Sequence, residues 1–300
     1  MWCSAGGSFA LPLDREDVSM LKFSAPLPAL KAPVLIAAFG GWNDGAGSAT
    51  STIDHLIEQW DAQPLADIDP EDYYDFQVNR PIIHIETAGV RSVTWPTTQI
   101  SFATLENSSH DVVLIQGLEP SMRWPTFCSE LIDLALALGV EQFIVLGALL
   151  AATPHTRPVP VMGFSSNQVL ARELGLEANA YEGPTGIVGV LQHAAQEAGL
   201  SSVSLWASVP YYVADPPCPK ASLALIAMLE DLVDVSIPLG DLPDQAKAWE
   251  RGAEELAQED SDVADYVRQL EEARDAADLP EASGEAIARE FQRYLRRRNS

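Results

Sequence analysis

Trp42, Asn43 and Asp44 stand in the run GGWNDG, Glu119 and Arg123 in EPSMRW, His155 and Arg157 in TPHTRPVP, Glu182 and Thr185 in YEGPTG, and Tyr211 in VPYYV. Carboxylates, an imidazole and a guanidinium on Gly- and Pro-rich runs are the groups that acid–base work and anion recognition require. If the runs converge, these side chains share one crevice. There Asp44 or Glu182 would move a proton, and Arg157 would orient an anionic group of a nucleoside or another polar metabolite. Each residue also has a plain structural use: Asp44 and Thr185 as helix caps, Arg157 as ion-pair partner of Glu119 or Glu182, His155 as a hydrogen-bonded loop residue, Trp42 and Trp124 as core.

Other chemistries are poorly supplied. The turn Gly45-Ala46-Gly47 has Thr50 where the dinucleotide fingerprint needs its third glycine, Asp44 would repel a phosphate, and no Gly-Lys-Ser/Thr occurs. Only Lys22, Lys31, Lys220 and Lys247 are lysines, too few and scattered for a phosphate cradle, so ATP-dependent carboxylate-amine ligation is the weakest reading. His55, His84, His110, His155 and His193 never fall at metal-ligand spacing, and Cys3, Cys128 and Cys218 form no CxxC pair. Gly163 and Ser165 resemble a nucleophile elbow, without its second glycine. No metal and no cofactor is therefore expected.

The elements that must position these runs follow from hydrophobic pattern. Apolar runs at 33–39 and 141–150 read as strands buried on both faces, with further strands expected at 81–86, 92–105, 111–116, 159–163 and 203–209. Helical spacing marks 48–60, 126–138, 167–174, 185–198 and 220–232. Residues 61–75 are acidic and are expected to form a surface excursion. Strands alternating with helices give an α/β fold, a three-layer α/β/α sandwich with a mainly parallel mixed sheet. The candidate runs then lie at or just after the carboxyl ends of strands, where an open parallel sheet places its ligand crevice.

The organisation expected is an N-terminal leader over 1–30, an α/β core over 31–239 and an acidic helical appendage over 240–300. In the appendage, helices at 243–258, 263–277 and 285–298 share an apolar stripe of Leu256, Val263, Tyr266, Val267 and Leu270. With 47% hydrophobic and 20% charged residues the chain can bury a core. Eighteen basic against 43 acidic side chains give a net charge of −25, which disfavours nucleic acid and anionic membranes as partners. Residues 241–300 hold 16 acidic and 9 basic side chains, so the excess is spread over the body. The first residues lack the basic and apolar regions of a signal peptide and the cysteines suggest no disulfide framework, so a cytoplasmic location is expected.

The ordered set of runs resembles the proteasome assembly chaperone family in its bacterial and archaeal branch. It rests on Gly41 to Asp44, Glu119, Pro120 and Trp124, His155 to Pro160, Tyr181 to Gly186, Trp206 to Pro210, and Pro219 to Ala221. That resemblance implies a nucleoside-phosphorylase-like fold, self-association as a homo-oligomer (a trimer), and protein partners such as proteasome subunits. It favours a non-enzymatic assembly or binding protein over an enzyme or sensor, and it carries with it ligase assignments that the residues above do not match. Two departures limit the transfer. The last tyrosine, Tyr294, is seven positions from the end, unlike the hydrophobic-Tyr-any tail of eukaryotic members, and Tyr211 stands where many relatives have histidine.

Overall fold

In a computed structural model the chain is described over residues 20–278, apart from 87–88, 107, 166–168, 170, 173–175 and 177–180. The strands are β1 (Leu21–Phe23), β2 (Val34–Gly40), β3 (Gln63–Ile68), β4 (Ile82–Ile85), β5 (Arg91–Thr94), β6 (Thr98–Ala103), β7 (Val112–Leu118), β8 (Gln142–Ala151), β9 (Val161–Ser165) and β10 (Ser201–Pro210). The helices are α1 (Ser48–Gln59), α2 (Trp124–Ala137), α3 (Ile187–Glu197), α4 (Pro219–Val233), α5 (Leu242–Glu259) and α6 (Ser261–Asp278). The helix expected over 285–298 and most of that over 167–174 lie outside the described residues.

The apolar run of β2 dictates the layering. Leu35, Ala37 and Phe39 join one core with Phe127 and Leu131 of α2 and Val188 and Leu191 of α3. Val34, Ile36 and Ala38 join the opposite core with Ile53 and Leu56 of α1 and Leu225 and Leu229 of α4. Alternate residues of a strand point to opposite faces, so a run apolar at every position demands helices on both sides. The expected three-layer α/β/α arrangement follows from this alternation.

The sheet has eight strands in the order β1-β3-β6-β7-β2-β8-β10-β9. Its centre, β7-β2-β8-β10, is parallel, and β6, β3, β1 and β9 add antiparallel flanks. The carboxyl ends of β7, β2, β8 and β10 therefore share one edge.

Three expectations need correction. Residues 61–75 are not a surface excursion: β3 pairs between β1 and β6, and Leu65, Ile68, Tyr73 and Tyr74 are buried. Interleaved acids and prolines hide this strand from an apolar-run criterion. Within the leader, Leu21–Phe23 is an edge strand on β3, held by that pairing and not by its own sequence. In the appendage the packing stripe is Ala246, Ala253, Ala257, Val267 and Leu270, while Leu256 is exposed; alanines let α5 approach α4 closely where leucine would hold it off.

Gly147 of β8 lies opposite Trp206 of β10, and a Cβ there would come within 2.5 Å of the indole ring. Gly147→Ala is expected to cost about 1–3 kcal/mol of stability through overpacking. Thermal unfolding followed by circular dichroism checks this, and an unchanged midpoint would show that the ring moves aside freely.

Candidate functional site

At the carboxyl edge the ten candidates separate into two groups. The first centres on Glu119, just after β7. Its Oε1 accepts a hydrogen bond from Asn43 Nδ2 at 2.7 Å and another from the Ile187 backbone N–H at 2.8 Å. Ile187 opens α3, so the carboxylate caps that helix where its free N–H groups carry partial positive charge. Thr185, expected as a cap, is exposed; the cap position is Gly186. Asn43 is buried, and its carbonyl accepts the Ala148 N–H at 2.8 Å. A Cβ on Gly186 would fall 2.3 Å from the Asn43 amide, which is why the helix must begin with glycine.

Asp44 does act as a cap. Its Oδ1 accepts the Ala49 N–H at 2.7 Å and its Oδ2 the Thr50 hydroxyl. Burial pushes its carboxyl above the usual aspartate range, opposed by those hydrogen bonds. Arg123 pairs with Asp72 at 2.5 Å on the surface, and Glu182 is exposed. Trp42, read as a possible core residue, is 69% exposed.

The second group gathers around the loop after β8. Tyr212 Oη accepts the His155 backbone N–H at 2.8 Å and donates to His155 Nδ1 at 2.8 Å. This leaves the ring proton on Nε2, facing Glu254 of α5 at 3.2 Å. Arg157 donates to both oxygens of Asp275 on α6, each at 2.8 Å, and to Glu271 at 3.2 Å. The expected pairing of Arg157 with Glu119 or Glu182 is thus replaced by partners far along the chain. Tyr211 packs its ring on Tyr266 of α6 at 5.4 Å, and Lys220 bridges the His155 carbonyl to Glu250.

The nucleophile and acid–base types of the second group are engaged or held neutral. Both imidazole nitrogens of His155 are engaged and its ring is buried. Burial pushes Tyr212 up to about 12, Cys128 to about 12 and Cys218 to about 11, so none of these supplies an anion near neutrality. Of two clefts of about 420 and 690 Å3, the larger is lined by His155 with Glu250 and Glu254, while Asn43, Asp44, Glu119 and Glu182 line neither. Among the described residues, no group of three His, Cys, Asp or Glu side chains could hold a metal ion. No described helix is long and apolar enough to cross a membrane.

What the carboxyl edge does present is apolar: Trp42, Leu118, Met122, Leu150, Tyr181 and Tyr211 are all exposed there. The model of the PAC2 family matches residues 38–257, most of the chain and every strand-end run. The chain belongs to the PAC2 family. A PAC2 family protein from Streptomyces avermitilis is 55% identical, over 78% of this chain and 99% of that one, with a TM-score of 0.74. A Mycobacterium tuberculosis proteasome-assembly chaperone homologue is 50% identical over the same shares, with a TM-score of 0.72. An archaeal proteasome activator from Pyrococcus furiosus shares the fold at 14% identity, a TM-score of 0.63 and coverage of 79% and 97%. No curated protein matches.

In this PAC2 chain, sequence reading missed Glu250, Glu254, Glu271 and Asp275 as partners of the strand-end loops. The signal available was their spacing, since each pair lies four residues apart on one helix face. Leu118 and Leu150 were missed because an apolar residue at the end of a strand looks like core.

Glu119→Ala removes an acceptor shared by two donors, one of them a helix terminus, and is expected to cost about 2–4 kcal/mol; denaturant unfolding checks it. The Arg157 pair holds the Asp275 carboxyl below its ordinary value of 3.8. That contribution is therefore present above this value and lost as pH falls through the lowered one. The protection of amides over 261–278 against hydrogen exchange, relative to the unfolded chain at the same pH, is expected to hold from pH 7 down to about 4 and to fall below it. Arg157→Ala is expected to lower that protection at neutral pH and to make little further difference once Asp275 is protonated.

Proposed function

We propose that this PAC2 protein is a non-enzymatic, self-associating assembly protein that grips other proteins through the carboxyl edge of its sheet. The strand ends support this: Asn43, Asp44, Glu119, His155 and Arg157 are engaged in holding the scaffold together, while Trp42, Tyr181, Tyr211, Met122, Leu118 and Leu150 are exposed beside the exposed Glu182 and Thr185. Aromatic and Met side chains at the centre of a surface are what protein interfaces use as anchors. Enzyme pockets instead need convergent polar groups in a concave site.

Proteasome subunits are the partner class, taken from the half-identical relative described as a proteasome-assembly chaperone homologue. With a net charge of −25, the chain would steer toward a basic rim around an apolar socket. Buried free thiols at Cys128 and Cys218 suit a reducing cytoplasm as the place of work.

The test is reconstitution of the full chain with proteasome α and β subunits from the same cells, read by calorimetry and native mass spectrometry. Micromolar or tighter binding is expected. Trp42→Ala is expected to weaken it at least about tenfold without moving the melting temperature, because an exposed anchor contributes to binding and not to the core. Absence of binding, or indifference to Trp42→Ala, would overturn the reading.

A further inference from the structure

Strands β4 and β5 form a ribbon that pairs with no other described strand. Its register sets Ile83 opposite Val93 and Ile85 opposite Arg91, with Ile82 opposite Thr94 and His84 opposite Ser92. Side chains alternate between faces, so Ile83, Ile85 and Val93 cluster on one face, and His84, Ser92 and Thr94 occupy the other with Ile82. That is the pattern of a half-buried ribbon, yet Ile83 is 61% exposed, Ile85 73% and Val93 47%. At its root Trp95 meets Phe76, ring to ring at 4.8 Å. A two-stranded ribbon is marginal in water without something beneath its apolar face.

We propose that this ribbon is an arm whose Ile83, Ile85 and Val93 face docks on the acidic body of a second copy of the chain. Charge selects that occupant. Residues 80–95 carry Arg80 and Arg91 against Glu86 alone, a net +1 in a chain of −25. The basic partner that the rest of this surface attracts would be repelled by the arm, whereas another copy offers acid in excess. Pairing of ribbon with ribbon would set arginine against arginine. Each copy gives one arm and receives one, so every protomer buries two such surfaces toward the ~800 Å2 per partner of a stable interface. The inference rests on the self-association read above and assigns its surface, separate from the carboxyl edge that holds other proteins.

Sedimentation velocity and native mass spectrometry of the full chain test it. The unaltered protein is expected to be an oligomer at micromolar concentration. Ile83→Asp with Ile85→Asp, which would bury two unpaired charges, is expected to raise the dissociation constant at least about a hundredfold. Arg91→Glu is expected to raise it about tenfold. Melting of the monomer is expected to be unchanged, since neither isoleucine is part of the core. A benzophenone amino acid at position 85, introduced in its own cells, is expected to cross-link to a second copy, and this readout decides even where the double variant fails to fold. An oligomer that survives the double substitution, or a cross-link to a different protein, overturns the arm alone. A monomeric unaltered chain overturns the arm and the self-association reading together, leaving proteasome binding to its own test.

Discussion

One carboxylate oxygen, Oε1 of Glu119, holds the carboxyl edge of the sheet together. It sits between the Asn43 amide and the first N–H of α3, so it joins the end of β7, the turn after β2 and the start of a helix that crosses the sheet. Through the Asn43 carbonyl the same link reaches Ala148 of β8. A charge-assisted bond at a helix N-terminus is among the stronger polar contacts available, because the donor and the helix dipole act in the same direction. Its geometry also demands glycine at 186, since Asn43 occupies the space of a side chain. Residues of the types used for catalysis are here the fasteners of a platform.

The C-terminal helices apply the same economy to the neighbouring loop. Basic groups are scarce in this acidic chain, and two of them, Arg157 and Lys220, are placed where α5 and α6 present carboxylates. Exposed pairs of this kind are individually weak. They act here together with the edge-to-face and tilted Tyr211, Tyr212 and Tyr266 rings and with the buried His155, whose two nitrogens join Tyr212 to Glu254. The helices thus close over the loop following β8 and leave the ends of β2 and β7 uncovered, with Trp42 and Leu118 outermost.

Polar side chains withdrawn into the scaffold and apolar ones left outside divide the surface by chemistry. The carboxyl edge carries aromatic and Met side chains within an acidic body, and the β4–β5 ribbon carries branched aliphatics beside arginines. Two apolar surfaces of different charge need not compete for one partner, since like-charge repulsion separates what hydrophobic contact alone would not.

The sequence by itself determined the layers, because β2, β7 and β8 are apolar at nearly every position and only helices on both faces can cover such strands. It also determined that the runs holding Asn43, Glu119, His155 and Tyr211 end up on one edge, since each follows a parallel strand, and it marked Asp44 as a cap by its place before a helix. Tertiary structure alone decided who binds whom. Glu119 finds Ile187 and Arg157 finds Asp275 across 68 and 118 residues of chain, and no local pattern encodes a contact between segments so far apart. It alone decided that β3, with its proline and its aspartate, is an interior strand, because its place is set by β1 and β6 on either side. Whether an apolar residue lies in the core or at an interface depends on what packs against it, and Trp42 and Ile85 are left largely exposed.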